Sequence, residues 1–163
     1  MKKITAVLFL LATSLSSIKS KAQSSATAEP LLQGKVYTIR IKQQATTKKG
    51  IEFGKEEADE FSFKGGKFKT VGFARDFEMP VKPYEVTNVD TATGTQIISW
   101  ECPIAWSPDD NVLFKGTIEG GNSIKGTVDW TVKNKPKKSY HYEFEGELKE
   151  KKKKPAPATP ASK

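Results

Sequence analysis

Asn111-Val112-Leu113-Phe114-Lys115-Gly116-Thr117-Ile118-Glu119-Gly120-Gly121-Asn122-Ser123-Ile124-Lys125-Gly126-Thr127-Val128-Asp129-Trp130 alternates apolar and polar side chains on both sides of a Gly-Gly-Asn turn. This is the pattern of two antiparallel strands joined by a tight connection. Centring the hairpin on Gly121 places Val112 opposite Trp130, Phe114 opposite Val128, Gly116 opposite Gly126 and Ile118 opposite Ile124. Each apolar residue of that face then meets another apolar residue or a glycine, as a buried sheet face requires. A next loop centred on Pro136 carries the same face onto a third strand. There Trp130 is expected opposite Tyr142, Val132 opposite Tyr140, Val128 opposite Phe144, Gly126 opposite Gly146 and Ile124 opposite Leu148. Lys115, Thr117, Lys125, Thr127, Asp129, Thr131, His141, Glu143, Glu145 and Glu147 fall on the outer face. Upstream, a register centred on Asp109 puts Cys102 opposite Gly116 and Trp100 opposite Ile118, with Pro103 making the pairing irregular.

The period of two extends outward from this core. Candidate strands cover 34–43, 60–64, 67–73, 84–90, 95–106, 111–119, 123–133 and 139–149, and a helix is expected only around 55–60. Turn-formers separate them, among them Gly65-Gly66, Thr93-Gly94 and Pro108-Asp109-Asp110. The fold class read from this is all-β: an antiparallel up-and-down meander of about eight strands, closed into a barrel because closure removes exposed edges.

The ends read differently. Lys2 and Lys3, an apolar run from Ile4 to Ala12 and the small residues Ser20 and Ala22 form a secretory signal over 1–22, with cleavage expected between Ala22 and Gln23. The protein is therefore expected to be secreted or periplasmic, with a flexible leader over 23–30, a barrel domain over 31–149 and a disordered Lys/Pro/Ala tail over 150–163. Four of the 27 basic residues lie in 1–22 and six in 149–163, so the net charge of +8 leaves the body with 17 basic against 18 acidic residues. A near-neutral body gives a phosphate-binding groove little support, and no nucleic-acid partner is expected. The block Lys151, Lys152, Lys153 and Lys154 is the one place where charge is concentrated, and it suits contact with an anionic envelope surface.

Catalytic residue sets are scarce. Cys102 is the only Cys and His141 the only His. An intramolecular disulfide and a multi-His metal site are thereby ruled out within one chain. Cys102 reads as a small buried hydrophobe, and His141 on an outer face is poorly placed to serve a Ser or Cys nucleophile. Asp129 is expected opposite Glu143, beside Glu145, where a cation such as Ca2+ would relieve repulsion; a solvated face with Lys125 and Lys133 nearby accounts for the same residues. No catalytic activity, cofactor or metal is expected.

The row Gly116, Gly126 and Gly146 admits two readings. Glycines let a sheet coil tightly enough to close, and they also leave room for a ligand on the inner face. The first is favoured because small barrels often fill their interiors with side chains. The opening Gly34-Lys35-Val36-Tyr37, the Phe114 to Trp130 pattern and the ending Tyr142-Glu143-Phe144-Glu145-Gly146 resemble the calycin group, the lipocalin-like and avidin-like barrels, over residues 31–149. That resemblance implies a carrier of small, usually apolar ligands. If the glycine row leaves room for a ligand, the registers give the expected lining as Trp100, Phe114, Gly116, Gly126, Val128, Trp130, Tyr142, Phe144 and Gly146, with Arg75 at the mouth beside Phe73 and Phe77. The expected function is a noncatalytic, monomeric secreted protein that binds a small apolar ligand in its barrel. An envelope protein with a filled barrel acting through its tail is the alternative, and a carbohydrate-binding sandwich with Trp106 as platform comes third.

Overall fold

A computed structural model describes residues 29–47, 50–133, 135 and 139–150. The expected signal segment, most of the leader and Lys151 to Lys154 lie outside the described residues. The elements are α1 (Glu29–Leu32), β1 (Val36–Thr47), β2 (Gly50–Lys64), β3 (Lys67–Thr70), α2 (Gly72–Phe77), β4 (Lys82–Pro83), β5 (Glu85–Asp90), β6 (Ile97–Ala105), β7 (Asp110–Glu119), β8 (Ser123–Val132) and β9 (Tyr140–Leu148). The strands form one antiparallel sheet in the order β4-β3-β2-β1-β9-β8-β7-β6-β5. Consecutive strands are neighbours except for β4 and β5, which are the two edges, and the last strand lies beside the first, so the meander is a nearly closed barrel.

Closure falls on a single stretch of chain. β4 pairs with β3, and β5, two residues later, pairs with β6. The Cys102 thiol on β6 donates to the Pro83 carbonyl across this seam at 3.2 Å. Burial pushes the Cys102 thiol pKa up to about 12, which keeps it protonated and able to donate.

Alternation decides which side chains point inward. Tyr37, Ile39 and Ile41 on β1, Phe61 and Phe63 on β2, and Trp100, Cys102 and Ile104 on β6 are all buried, while the residues between them are more exposed. One end of the barrel is plugged: Leu32 of α1 is fully buried, and the buried Tyr37 hydroxyl donates to the Gly121 carbonyl at 3.1 Å. At the other end α2 packs against β2 and β3. Its Phe73 reaches down to Phe114 in the core.

The hairpin of β7 and β8 has the register expected from its sequence, from Val112–Trp130 through Gly116–Gly126 to Ile118–Ile124. The two flanking registers are each displaced by two residues. β8 and β9 pair Trp130 with Tyr140, Val128 with Tyr142, Gly126 with Phe144 and Ile124 with Gly146. β6 and β7 pair Trp100 with Gly116 and Cys102 with Phe114, and Pro103 sits in an unbroken ladder beyond the last β5 pair. A two-residue slip keeps every side chain on its own face, so inside and outside are as expected while the neighbours change.

Two expectations for the first half need correction. Residues 55–60, expected as a helix, lie in β2, where pairing with β1 overrides their helical propensity. The expected strand 67–73 stops at Thr70 and turns into α2, which ends at Glu78 in the left-handed conformation.

Candidate functional site

The middle of the barrel is occupied by the protein's own rings. Trp100 lies 4.9 Å from Phe63 and 5.0 Å from Phe68, ring centre to ring centre, and Phe61 packs against both Phe114 (5.8 Å) and Phe144 (5.0 Å). Edge-to-face and tilted pairs at these distances are favourable packing, and they use the space in which a ligand was expected. A Cβ on Gly116 would lie 3.1 Å from the Phe144 Cζ and 2.5 Å from the Lys125 carbonyl oxygen. On Gly126 it would lie 2.6 Å from the same Cζ and run into the Lys115 carbonyl. The two glycines thus make room for Phe144 and for close approach of β7 to β8. Gly146 is separated from them, because its partners are Ile39 and Ile124. The expected inner lining of Trp100, Phe114, Val128 and Phe144 is therefore packed core, Gly116 and Gly126 are half-buried, and the three glycines do not form one row.

The α2 end is open. A cleft of about 250 Å³ has Ile41, Phe73 and Tyr142 among its walls and Lys55, Glu57, Arg75, Asp76 and Phe77 also lining it. Phe73 meets Tyr142 edge-on at 5.6 Å. Beside the cleft the aromatic series continues through Phe77 to Trp130 (5.1 Å), which also touches Trp106 (5.0 Å) and Tyr140 (6.1 Å). Trp130 is buried and its indole N–H has no hydrogen-bond partner, whereas Phe77 and Tyr140 are exposed. Of the residues expected from sequence, Arg75 and Tyr142 line this cleft and Trp130 stands at its edge.

Asp59 is the polar feature of the cleft. It stands in phase with Phe61 and Phe63, and so points inward. Its Oδ1 accepts from the backbone N–H groups of Glu60 at 2.6 Å, Val71 at 3.0 Å and Gly72. The carboxylate thereby ties the start of α2 to β2. Gly72 is needed for this: a Cβ there would lie 2.9 Å from the Asp59 Cγ. Oδ2 is buried without a hydrogen-bond partner. Burial raises the Asp59 pKa and outweighs the opposing backbone N–H groups. A raised carboxyl pKa favours the native state while the group is protonated; this contribution is lost as pH rises through the folded value. Asp59→Ala strands three N–H groups and is expected to cost about 2–3 kcal/mol in urea unfolding. A cost near zero would show that Phe73 alone holds α2 down.

The remaining charges are arranged differently from expectation. Arg75 is turned to its neighbour, with Nε 2.6 Å from the Asp76 Oδ1 and Nη2 2.8 Å from its Oδ2, so that edge of the guanidinium is occupied by a carboxylate of the chain itself. On the outer face Asp129 is opposite His141 and not Glu143. Its oxygens meet the His141 Nδ1 at 2.5 Å and the Lys115 Nζ at 3.4 Å, which removes the repulsion that had suggested a cation. Tyr142 has its phenol pKa raised, first by burial, then by Tyr140 and Glu57.

Asp59 was absent from the expected lining, and Phe73 and Phe77 entered it only as neighbours of Arg75 at the mouth. Two signals in the sequence mark them: an Asp on the inward phase of Phe61 and Phe63, and two Phe four residues apart, the spacing of one helix face. No protein-family model and no curated protein matches the chain.

Proposed function

We propose that the protein is a noncatalytic binding protein that takes a small, largely apolar ligand end-on at the α2 mouth of the barrel. The observation that carries this reading is the cleft of about 250 Å³, where aromatic walls meet a few convergent polar groups above a packed interior. Its volume lies just below the usual range for ligand sites, which suits a compact molecule. The Phe77 ring, packed on Phe73 and Trp130 yet still partly exposed, gives such a guest a further apolar wall. The expected signal at 1–22 makes the protein an exported carrier.

Native mass spectrometry of the protein, purified gently from its own host, tests this. A reproducible extra mass lost on denaturation is the expected result. Phe77→Ala should weaken retention roughly tenfold, about what removing one apolar ring contact costs, without disturbing the core. A clean apo mass that stays clean after incubation with a lipophilic extract overturns the reading.

A further inference from the structure

We infer that the ligand of the α2 mouth carries a protonated amine, received by the free oxygen of Asp59 with the ligand's apolar body against Phe73 and Tyr142. The inference rests on the mouth being the binding site and adds the chemical class of what enters it.

Asp59 is more than nine-tenths buried, and its two oxygens have different surroundings. Oδ1 accepts from three backbone N–H groups and the Phe73 N–H also bears on the carboxylate, yet Oδ2 has no hydrogen-bond partner. A buried carboxylate oxygen without a donor is costly, and a donor brought by a ligand removes that cost on binding. The cleft's own cations do not supply it: Arg75 is bound to Asp76, and the Lys55 ammonium, though it also lines the cleft, makes no hydrogen bond to Oδ2. Charges lining the cleft are Lys55 and Arg75 against Glu57, Asp59 and Asp76, one negative in excess. The Phe73 and Tyr142 rings add faces that attract a cation and repel an anion. A carboxylate and aromatic walls around one compact cleft together select an amine over a carboxylic acid or a neutral alcohol of the same size.

Calorimetric titration of the purified protein with phenethylamine, 2-phenylethanol and 3-phenylpropionate tests this. Phenethylamine is expected to bind at least tenfold more tightly than the alcohol, and the acid most weakly. Asp59→Asn keeps an oxygen for the three N–H groups and replaces the free one with a donor. It should bring the amine down to the level of the alcohol while the alcohol's own affinity stays put. The wild-type ranking decides the matter even if this variant folds poorly. Equal affinities, or a preference for the acid, overturn the amine and leave the mouth standing, provided Phe77→Ala still weakens all the probes. Failure of every probe to bind, with a clean apo mass in the host preparation, overturns the mouth and the amine together.

Discussion

Gly126→Ala should lower the unfolding free energy by about 3 kcal/mol, the upper part of the range for forcing atoms into a packed interior. The added methyl would meet the Lys115 carbonyl, the Gly116 Cα at 2.6 Å and the Phe144 Cζ at 2.6 Å. Two of these are backbone atoms of the neighbouring strand, which cannot move aside without breaking the β7–β8 ladder. Trimming Phe144 to Leu in the same background should therefore restore only a small part of the loss. Gly54→Ala is the matched control, since a Cβ there meets only ordinary contacts with Gln43 from 3.5 Å outward. It should change stability by less than about 1 kcal/mol, and either sign is acceptable. Urea unfolding followed by tryptophan fluorescence measures both. If Gly126→Ala proves as stable as Gly54→Ala, the close approach of β7 and β8 is wrong.

The same glycine shows what the sequence could and could not convey. Alternation around Gly121 assigned inside and outside for the last three strands, because a period of two leaves only two choices of face. It could not distinguish registers two residues apart, since both bury the same set. The β6–β7 offset is set by a turn in which the Ser107 hydroxyl accepts from the N–H groups of Asp109 and Asp110 and donates to the Asp110 carboxylate, so the strands leave it from Trp106 and Asp110. Between β8 and β9 the slip puts Phe144, and not Gly146, opposite Gly126. What looked like a row of absent side chains became a socket for a ring. The site was harder to read for a related reason. Residues 55–60 carry Lys, Glu and Ala, good helix formers, but they lie beside β1, and tertiary pairing outweighs a few tenths of a kcal/mol per residue. α2 has six residues, too short for a periodicity to declare itself, and it is held by Asp59, a residue of β2.

Phe144→Ala should cost between about 3 and 5 kcal/mol and should create the interior site that the wild-type protein lacks at this position. The Phe144 ring packs on Phe61 and Trp100 and fills the hollow beside Gly116 and Gly126. Its removal leaves a space walled by rings and by two residues without side chains, which cannot relax inward far enough to fill it. An apolar hole of this kind stays dry and takes up a ligand of benzene's size. Benzene should then raise the Tm of Phe144→Ala and leave the wild-type Tm unchanged. The contrast bears directly on where a natural ligand sits. A wild-type protein indifferent to benzene in its core, yet able to retain a guest that Phe77→Ala weakens, would bind at the mouth and use the aromatic interior as a rigid floor. A wild-type Tm that rises with benzene would mean that the rings between Gly126 and Phe61 leave a usable space, and the carrier site would then move down into the barrel.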